Sequence, residues 1–372
     1  MIGLELLRSL NAPAREERLH ALARAVESAN FPPVDPRMVN NHIHTTYSFS
    51  PYSPSAAVYA ARSEGLATCG IVDHDSIGGA EEFIEAGKRA GIPTTVGIET
   101  RVSFAETPLF DRRTNNPDQI GNSYMVLHAV PHGNIGRVQA YFAPLRERRN
   151  ARNRRMIERI TALYAGDGVS LDFERDVLPL SQHRDGGSVT ERHLMLALAR
   201  QLIRLGRAKL PEGAGELERM LAEYDLVGAL KKDCIPQVYV EATDECPTLR
   251  EFVRFSNEVG GILAYAYLGD VTASVTGDKK AQAFEDGYLD ELFEVITNAG
   301  VRAVTYMPTR NTQAQIERLR KLCGRYGMLQ ISGEDINSPR QRFTIEKMRE
   351  EQFSNLIDST WHLIRHENGI KE

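Results

Sequence analysis

The chain has 372 residues, 42% of them hydrophobic, which is enough for one large α/β domain with insertions or for two domains. Its formal net charge of −5 gives no electrostatic indication of nucleic-acid binding. No apolar run approaches the roughly 20 residues of a membrane span. The N-terminal segment does not resemble a signal peptide, because Glu5 and Arg8 interrupt what would be its apolar region. With four scattered cysteines and no CxxC pair, the sequence predicts a cytoplasmic protein with reduced thiols.

The first predicted elements are a helical extension and then an alternation of strands and helices. Apolar residues recur at helical spacing in residues 1–30, and a proline-rich stretch separates them from a strand that reaches Asn41-His42. Ser53-Pro54 favours a helix start, and Gly65 favours its end. The next segments are strand 67–72, helix 77–90 and strand 93–98. This rhythm predicts a parallel sheet or a (β/α) barrel.

The middle of the chain has a different character. Residues 105–122 have no periodic pattern and predict a loop, residues 124–130 predict a strand, and helical patterns then follow one another from about 135 to 230. The alternation resumes with helices 248–258, 285–298 and 312–325, strands 261–267, 301–306 and 328–332, and a last helix 345–366. We therefore predict an N-terminal helical extension (1–35), a barrel (36–143 and 248–345), a helical insertion (144–247) and a C-terminal helix (346–372).

Histidines and acidic residues recur where the predicted strands end, which is the catalytic edge of a (β/α) barrel. His42 and His44 lie two residues apart on one strand, so both imidazoles face the same side and can bind one metal ion. Asp73 and Asp75 flank the next strand-end histidine and could orient a ligating imidazole. A single histidine of this kind is more often a hydrogen-bonded core residue, but the whole set favours a metal centre. The strand-end residues are His42, His44, His74, Glu99, His128, Tyr267 and Asp335.

Seven segments resemble, in chain order, the motifs of the polymerase-and-histidinol-phosphatase (PHP) family. The opening segments are NHIHTTYSFSPYSP, GIVDHDSIGGAEEF, GIETRVSF and YMVLHAV, and the closing segments are GGILAYAY, VTYMPTRNT and YGMLQISGEDINS. The resemblance spans roughly residues 37–340. It implies an α/β fold, a distorted (β/α)7 barrel with a helical insertion, up to three metal ions at the strand ends, and commonly phosphoester hydrolysis.

The resemblance also implies a ligand set and shows three departures from it. The positions of Phe49, Tyr267 and Asn337 carry metal ligands in the family, so Asn337 is a doubtful ligand and Tyr267 could contribute only as a phenolate. Of the three metal sites that the resemblance implies, one keeps its four ligands, a second loses two ligands and a third loses one ligand. We therefore expect one or two divalent ions (Zn, Mn or Fe) rather than three. The matching ligands are His42, His44, His74, Glu99, His128 and Asp335.

Arginines at the start of the insertion are candidate phosphate ligands, because a guanidinium binds phosphate through two parallel hydrogen bonds. A solvated helix face is the commoner interpretation of such a charged run. Arg149 and Arg152 resemble an RxxR pair of phosphoesterase-like family members, and Arg192-His193 resembles their RPH segment. The predicted substrate-binding residues are Arg149, Arg152, Arg192, His193, Arg310 and Tyr267.

The leading hypothesis is a metal-dependent phosphoesterase that hydrolyses a small phosphorylated substrate with metal-activated water. Its predicted catalytic residues are His74, His128 and Asp335. One alternative is a PHP-type barrel that has lost its chemistry and binds a ligand. Another is a metal-dependent hydrolase or lyase of non-phosphate substrates, in which Tyr267 would act as an acid.

Overall fold

Seven strands form one curved sheet in the computed structural model, which describes residues 2–271 and 282–370. They follow one another around the sheet in chain order, and its two edges meet, since Ile43 and Ile336 form a parallel bridge and Ser332 Oγ donates to the Val39 carbonyl at 3.2 Å. The predicted distorted (β/α)7 barrel is therefore confirmed. The strands are Asp35–Ile43 (β1), Leu66–His74 (β2), Thr94–Ser103 (β3), Asn122–His128 (β4), Ile262–Ala266 (β5), Ala303–Tyr306 (β6) and Leu329–Ser332 (β7).

The helices begin and end close to the predicted positions in most cases. The helix after β1 begins as its sequence indicates, with Ser53 Oγ accepting from the Ala56 amide at 3.1 Å. The last helix is the main difference: it starts at Ser354 instead of 345, because short 3-10 turns occupy the residues before it. The helices are Leu4–Leu10 (α1), Arg15–Ser28 (α2), Pro54–Ser63 (α3), Ala80–Ala90 (α4), Ile135–Leu163 (α5), Glu191–Arg204 (α6), Glu216–Val238 (α7), Leu249–Val259 (α8), Leu289–Ala299 (α9), Gln313–Tyr326 (α10) and Ser354–Glu367 (α11).

β4 runs antiparallel to both of its neighbours, β3 and β5, which a purely parallel sheet does not allow. The physical reason is the connection before it: residues 104–121 contain no helix, and a parallel pair needs a crossover that is usually helical. As a consequence, β4 begins at the edge where the other strands end. His128, its last residue, pairs with Ile262, the first residue of β5.

The helical insertion connects β4 to β5 and has an apolar core of its own. α5 has 29 residues and is therefore about 44 Å long. Its first part packs on the barrel core through residues such as Phe142, whereas Met156 and later apolar residues pack with α6 and α7 in a separate cluster. Phe49, from the loop after β1, belongs to that second cluster. The insertion therefore lies against the edge of the barrel where β1 ends.

Within residues 2–271 and 282–370, every helix is too short or too polar to cross a lipid bilayer.

Candidate metal centre

Three imidazoles and two carboxylates converge at the barrel edge where β1, β2 and β7 end. Glu99 Oε2, on β3, lies 3.1 Å from His74 Nδ1, 3.5 Å from His42 Nε2 and 3.6 Å from His44 Nε2. Asp335 Oδ1, from the segment after β7, lies 3.3 Å from His44 Nε2. Four separate chain segments thus bring their ligand atoms to one place.

Backbone hydrogen bonds hold Asp335 beside the two histidines of β1. The Ile336 amide donates to the His42 carbonyl at 3.1 Å, and the His44 amide donates to the Ile336 carbonyl at 2.9 Å. Gly333 allows this close approach, since a Cβ there would lie 2.3 Å from Thr305 Oγ1 and 3.5 Å from His42 Nδ1. The glycine therefore keeps room for the chain next to the imidazole.

The converging residues fit a divalent metal ion. Two triads of possible ligands share His44: one is completed by His42 and Asp335, and the other by His74 and Glu99. Within each triad the ligand atoms lie within 4.8 Å of one another. Their imidazole nitrogens and carboxylate oxygens are the donors preferred by zinc, manganese and iron. The Glu99 carboxylate is buried among imidazoles, which is costly without a cation between them.

Without a bound cation, His74 and Glu99 are in the protonation states that bind a metal, whereas His44 holds its proton more tightly and must release it on metal binding. Burial lowers the pKa of His74 to about 3, so this imidazole is neutral. Burial alone would raise the pKa of Glu99, but the surrounding imidazoles outweigh it and lower that pKa to about 2. The pKa of His44 is raised in spite of burial, because Asp335 and Glu99 stabilise its charged form. A neutral imidazole and an ionised carboxylate are the forms that bind a metal.

Asp73 positions the imidazole of His44, and not that of His74, which is its neighbour in sequence. Its buried Oδ1 accepts from Ser48 Oγ and from the Thr45 amide, both at 2.6 Å. Ser48 Oγ in turn lies 3.3 Å from His44 Nδ1. Asp73 thus orients His44 through a serine. Its counterpart Asp75 instead accepts from Thr100 Oγ1 at 2.6 Å and pairs with Arg149.

His128 lies deeper in the barrel than the other predicted ligands. Because β4 is antiparallel, the end of this strand is at the opposite edge, and Leu127 and Val126 are level with Ile98 and Glu99. His128 belongs to neither triad. Burial, with a smaller effect of His42, lowers its pKa to about 3, and its Nε2 has no hydrogen-bond partner among the residues that the structure describes.

The three departures from the family pattern each have a partner inside the protein. The Phe49 ring packs edge-on against the His193 ring at 5.1 Å. Tyr267 donates its hydroxyl proton to Asp286 Oδ1 at 2.6 Å, and burial together with this carboxylate raises the pKa of Tyr267 far above its usual value. The Tyr267 hydroxyl is therefore protonated and held by Asp286, and a phenolate ligand at this position stays a prediction. Asn337 Nδ2 donates to Asp335 Oδ1 at 2.7 Å.

Arg149 and Arg152 lie in a buried ionic network, and Arg149 also lines a small cavity of about 30 Å³ beside His44 and His74. Arg149 pairs with Asp75 and donates to Glu191 Oε2 at 2.7 Å. Arg152 donates to Glu191 Oε1 at 2.6 Å and to Glu245 Oε2 at 2.9 Å. Their guanidinium groups are thus occupied by carboxylates, which does not support the predicted phosphate contact. The network contains three cations and three anions: Arg101, Arg149, Arg152, Asp75, Glu191 and Glu245.

A cleft of about 110 Å³ adjoins the metal centre and is reached by only some of the predicted substrate residues. Arg192 and Tyr267 line it, whereas Arg310 lines a larger neighbouring cavity. His193 is buried and accepts the Thr190 amide at 3.0 Å as part of a helix cap, so it does not reach the cleft.

Several residues of the cleft were missed by sequence reasoning, among them one cation and one phenol. Lys231, on α7, and Tyr124, at the start of β4, both line it. Tyr124 could have been found if the missing crossover helix had been taken to indicate an antiparallel β4, whose first residues lie at this edge. For Lys231, one of several polar residues on a long helix, the sequence gives no signal.

Comparison with known proteins agrees with this architecture. The family model for the PHP domain matches residues 40–224, about half of the chain. A crystal structure of a proposed metal-dependent phosphoesterase from Bifidobacterium adolescentis matches with a TM-score of 0.60 and 20% identity, covering 88% of this chain and 96% of that chain. The structure of an amidohydrolase from Chromobacterium violaceum with bound sulfate and no metal has a TM-score of 0.59 and 19% identity, covering 82% and 89%.

Sequence relatives include much longer polymerases. An alignment of 97 positions, which covers 24% of this chain, shows 31% identity to DNA polymerase III subunit alpha of Saccharopolyspora erythraea. A stretch of 94 residues, 25% of this chain, is 34% identical to an error-prone DNA polymerase of Mycobacterium tuberculosis. Each match spans 8% of the polymerase's length.

Proposed function

Because this chain belongs to the PHP domain family, we propose that it is a metal-dependent phosphoesterase that hydrolyses a phosphomonoester with activated water. The observation that carries the proposal is the convergence of Glu99 Oε2 with three imidazole nitrogens within 3.6 Å, next to a cleft with basic side chains. Such a donor set beside cationic groups suits an anionic, oxygen-rich substrate.

The proposed metal ligands are the members of the two triads. When bound there, one or two divalent ions would polarise a phosphoryl oxygen and lower the pKa of a water molecule. The His42 and His44 side chains are almost fully buried, whereas 27% of the His74 side chain and 37% of the Asp335 side chain are exposed. His74 and Asp335 are therefore the most exposed members, and His42 and Glu99 line the cleft beside them. We assign proton transfer to the Asp335 carboxylate and a supporting role to the deeper His128.

Two cations from the insertion are proposed to bind the phosphoryl oxygens. Arg192, on α6, and Lys231, on α7, line the cleft together with the metal ligands. Both can donate hydrogen bonds to phosphate and stabilise the negative charge that develops on it. In this proposal Arg149 and Arg152 do not touch substrate but hold the insertion in place over the barrel.

The proposal is tested by metal content and turnover of the untagged protein. After loading with Mn²⁺, Zn²⁺ or Fe²⁺, we expect at least one bound ion and hydrolysis of some members of a phosphomonoester panel. The variant His44→Ala should lose both the ion and the activity, while the control His20→Ala, at an exposed histidine on α2, should keep both. Absence of turnover with every metal would refute the proposal. Amide and ester substrates belong in the same panel, because one similar structure is named an amidohydrolase.

A second candidate is a ligand-binding protein without turnover. The observation that favours it is that Phe49, Tyr267 and Asn337 are each engaged inside the protein at positions where the family has metal ligands. Phosphate binding that is unchanged in His44→Ala, together with an inert panel, would support this candidate over the first.

A further inference from the structure

A large chamber lies beside the cleft and shares part of its wall. The chamber has a volume of about 680 Å³, compared with about 110 Å³ for the cleft. The metal-centre carboxylate Asp335 thus stands between the two spaces. The four residues that line both are Arg192, Met307, Asp335 and Asn337.

The two volumes suit different parts of one ligand. A water molecule takes about 30 Å³, so the cleft has room for the equivalent of three or four waters, which suits a phosphoryl group but no sizeable organic group. The chamber lies within the range of roughly 300–1,000 Å³ that is typical of pockets for drug-sized ligands.

One wall of the chamber is a single stripe of α7. Tyr224, Gly228 and Lys232 are spaced four residues apart and therefore lie on the same helix face. The opposite wall is the segment after β7, which contributes Ile336 and Ile345 as apolar surface. The insertion and the barrel thus build this space together.

The chamber wall combines apolar side chains with charged side chains of both signs. Arg340 is neutralised by Asp225, with two hydrogen bonds of 2.7 and 2.5 Å. Arg310, Lys232 and Arg342 also line the space, beside the acidic Asp233 and Glu334. Such a wall fits an organic group that has an apolar face and several hydrogen-bond acceptors at its edge.

We propose that this chamber binds the esterified organic group of the substrate, so that the protein acts on phosphomonoesters of bulky, polar-edged alcohols rather than on the smallest ones. The inference rests on the proposed function, because it places the phosphoryl group in the cleft. Helix α7, which forms one wall of the chamber, would then limit the size of the organic group that the protein accepts.

Gly228 provides a direct test, because it lines the chamber and an added Cβ there meets open space. A Cβ at Gly228 would meet no atom within 4 Å. Gly228→Phe adds a ring inside the space, and Gly228→Ala is the matched control that adds only a methyl group.

The probes are two phosphonates, which have no phosphoester bond to hydrolyse: methylphosphonate and 1-naphthylmethylphosphonate. Their binding to the Mn²⁺-treated protein is measured by isothermal titration calorimetry. We expect the naphthyl compound to bind at least about tenfold more tightly than methylphosphonate to the unmodified chain and to Gly228→Ala. Gly228→Phe should abolish this advantage and change methylphosphonate binding by less than about twofold.

The inference is overturned if the bulky compound has no advantage in the unmodified chain, if neither compound binds, or if the advantage survives in Gly228→Phe. Circular dichroism and thermal melting check the fold of the variant. If Gly228→Phe does not fold, Ala229→Phe, at the next chamber residue of α7, takes its place. A chamber-dependent advantage without hydrolysis of any phosphomonoester would support the chamber and refute the phosphoesterase, so the two failures are distinguishable.

Discussion

Substitution of Glu191 should lower the free energy of unfolding more than substitution of any other carboxylate in the buried ionic network. Glu191 accepts from Arg152 at 2.6 Å, from Arg149 at 2.7 Å and from Arg101 at 3.2 Å. Glu191→Gln keeps the size of the side chain but removes its charge, so three buried guanidinium groups remain against two carboxylates. Breaking a buried ion pair on one side costs about 3–5 kcal/mol. We expect the free energy of unfolding to fall by about this amount.

Urea unfolding followed by circular dichroism measures this loss. The control is Asp290→Asn, which removes the charge of a carboxylate that is more than half exposed and pairs with Arg318 at 2.8 Å. Solvent screens such a pair, and its loss should cost about 0–1 kcal/mol. If the unfolding free energies of the two variants agree within about 1 kcal/mol, the buried network does not stabilise the fold more than a surface ion pair does.

Three further predictions concern the metal centre and the pH dependence of stability. Glu99→Ala should lose bound metal in elemental analysis, whereas His128→Ala should retain at least one ion, because His128 belongs to neither ligand triad; equal loss in both would contradict the assignment. Tyr267→Phe removes a hydrogen bond to Asp286 and should lower the free energy of unfolding by about 1.5–3 kcal/mol without changing metal content; a loss of metal would show that Tyr267 is a ligand after all. Burial raises the pKa of Glu285 to about 7 from an ordinary 4.5. Its contribution to stability is therefore fully present below pH 4.5 and is lost as the pH rises through 7, which amounts to about 3 kcal/mol. Urea unfolding at pH 5 and pH 8 should show this loss in the unmodified chain and a smaller one in Glu285→Gln, and an identical loss in both would refute it.

The barrel could be predicted from the sequence because its signals are local. Apolar strand segments, the Ser53 cap and the histidine pair of β1 each depend on residues close together in the chain. The direction of β4 was not predicted, although the sequence contained a signal for it: no helical pattern separates β3 from β4. That one reversal moved His128 to the deeper end and brought Tyr124 to the cleft.

The ionic network could not be predicted, because its partners are distant in sequence. Arg149 and Glu191 are 42 residues apart, and Arg152 and Glu245 are 93 residues apart. A guanidinium group pairs with a carboxylate as well as with a phosphate, so the arginine pattern alone cannot distinguish a structural pair from a substrate ligand. Only the fold shows that carboxylates occupy Arg149 and Arg152.

The surroundings of the three replaced positions explain why these side chains are stable without a metal ion. A lost ligand would leave a gap or an unsatisfied group, yet Phe49 is packed in the apolar cluster of the insertion, Tyr267 bonds to Asp286, and Asn337 bonds to Asp335. Substitutions that are each satisfied by the protein do not need an ion to be stable. The atoms that would be costly to bury without a cation are those around Glu99, which lies within 3.6 Å of three imidazoles. Within residues 2–271 and 282–370, this cluster is where a cation would offset buried charge, so we expect one or two ions there and none at the replaced positions.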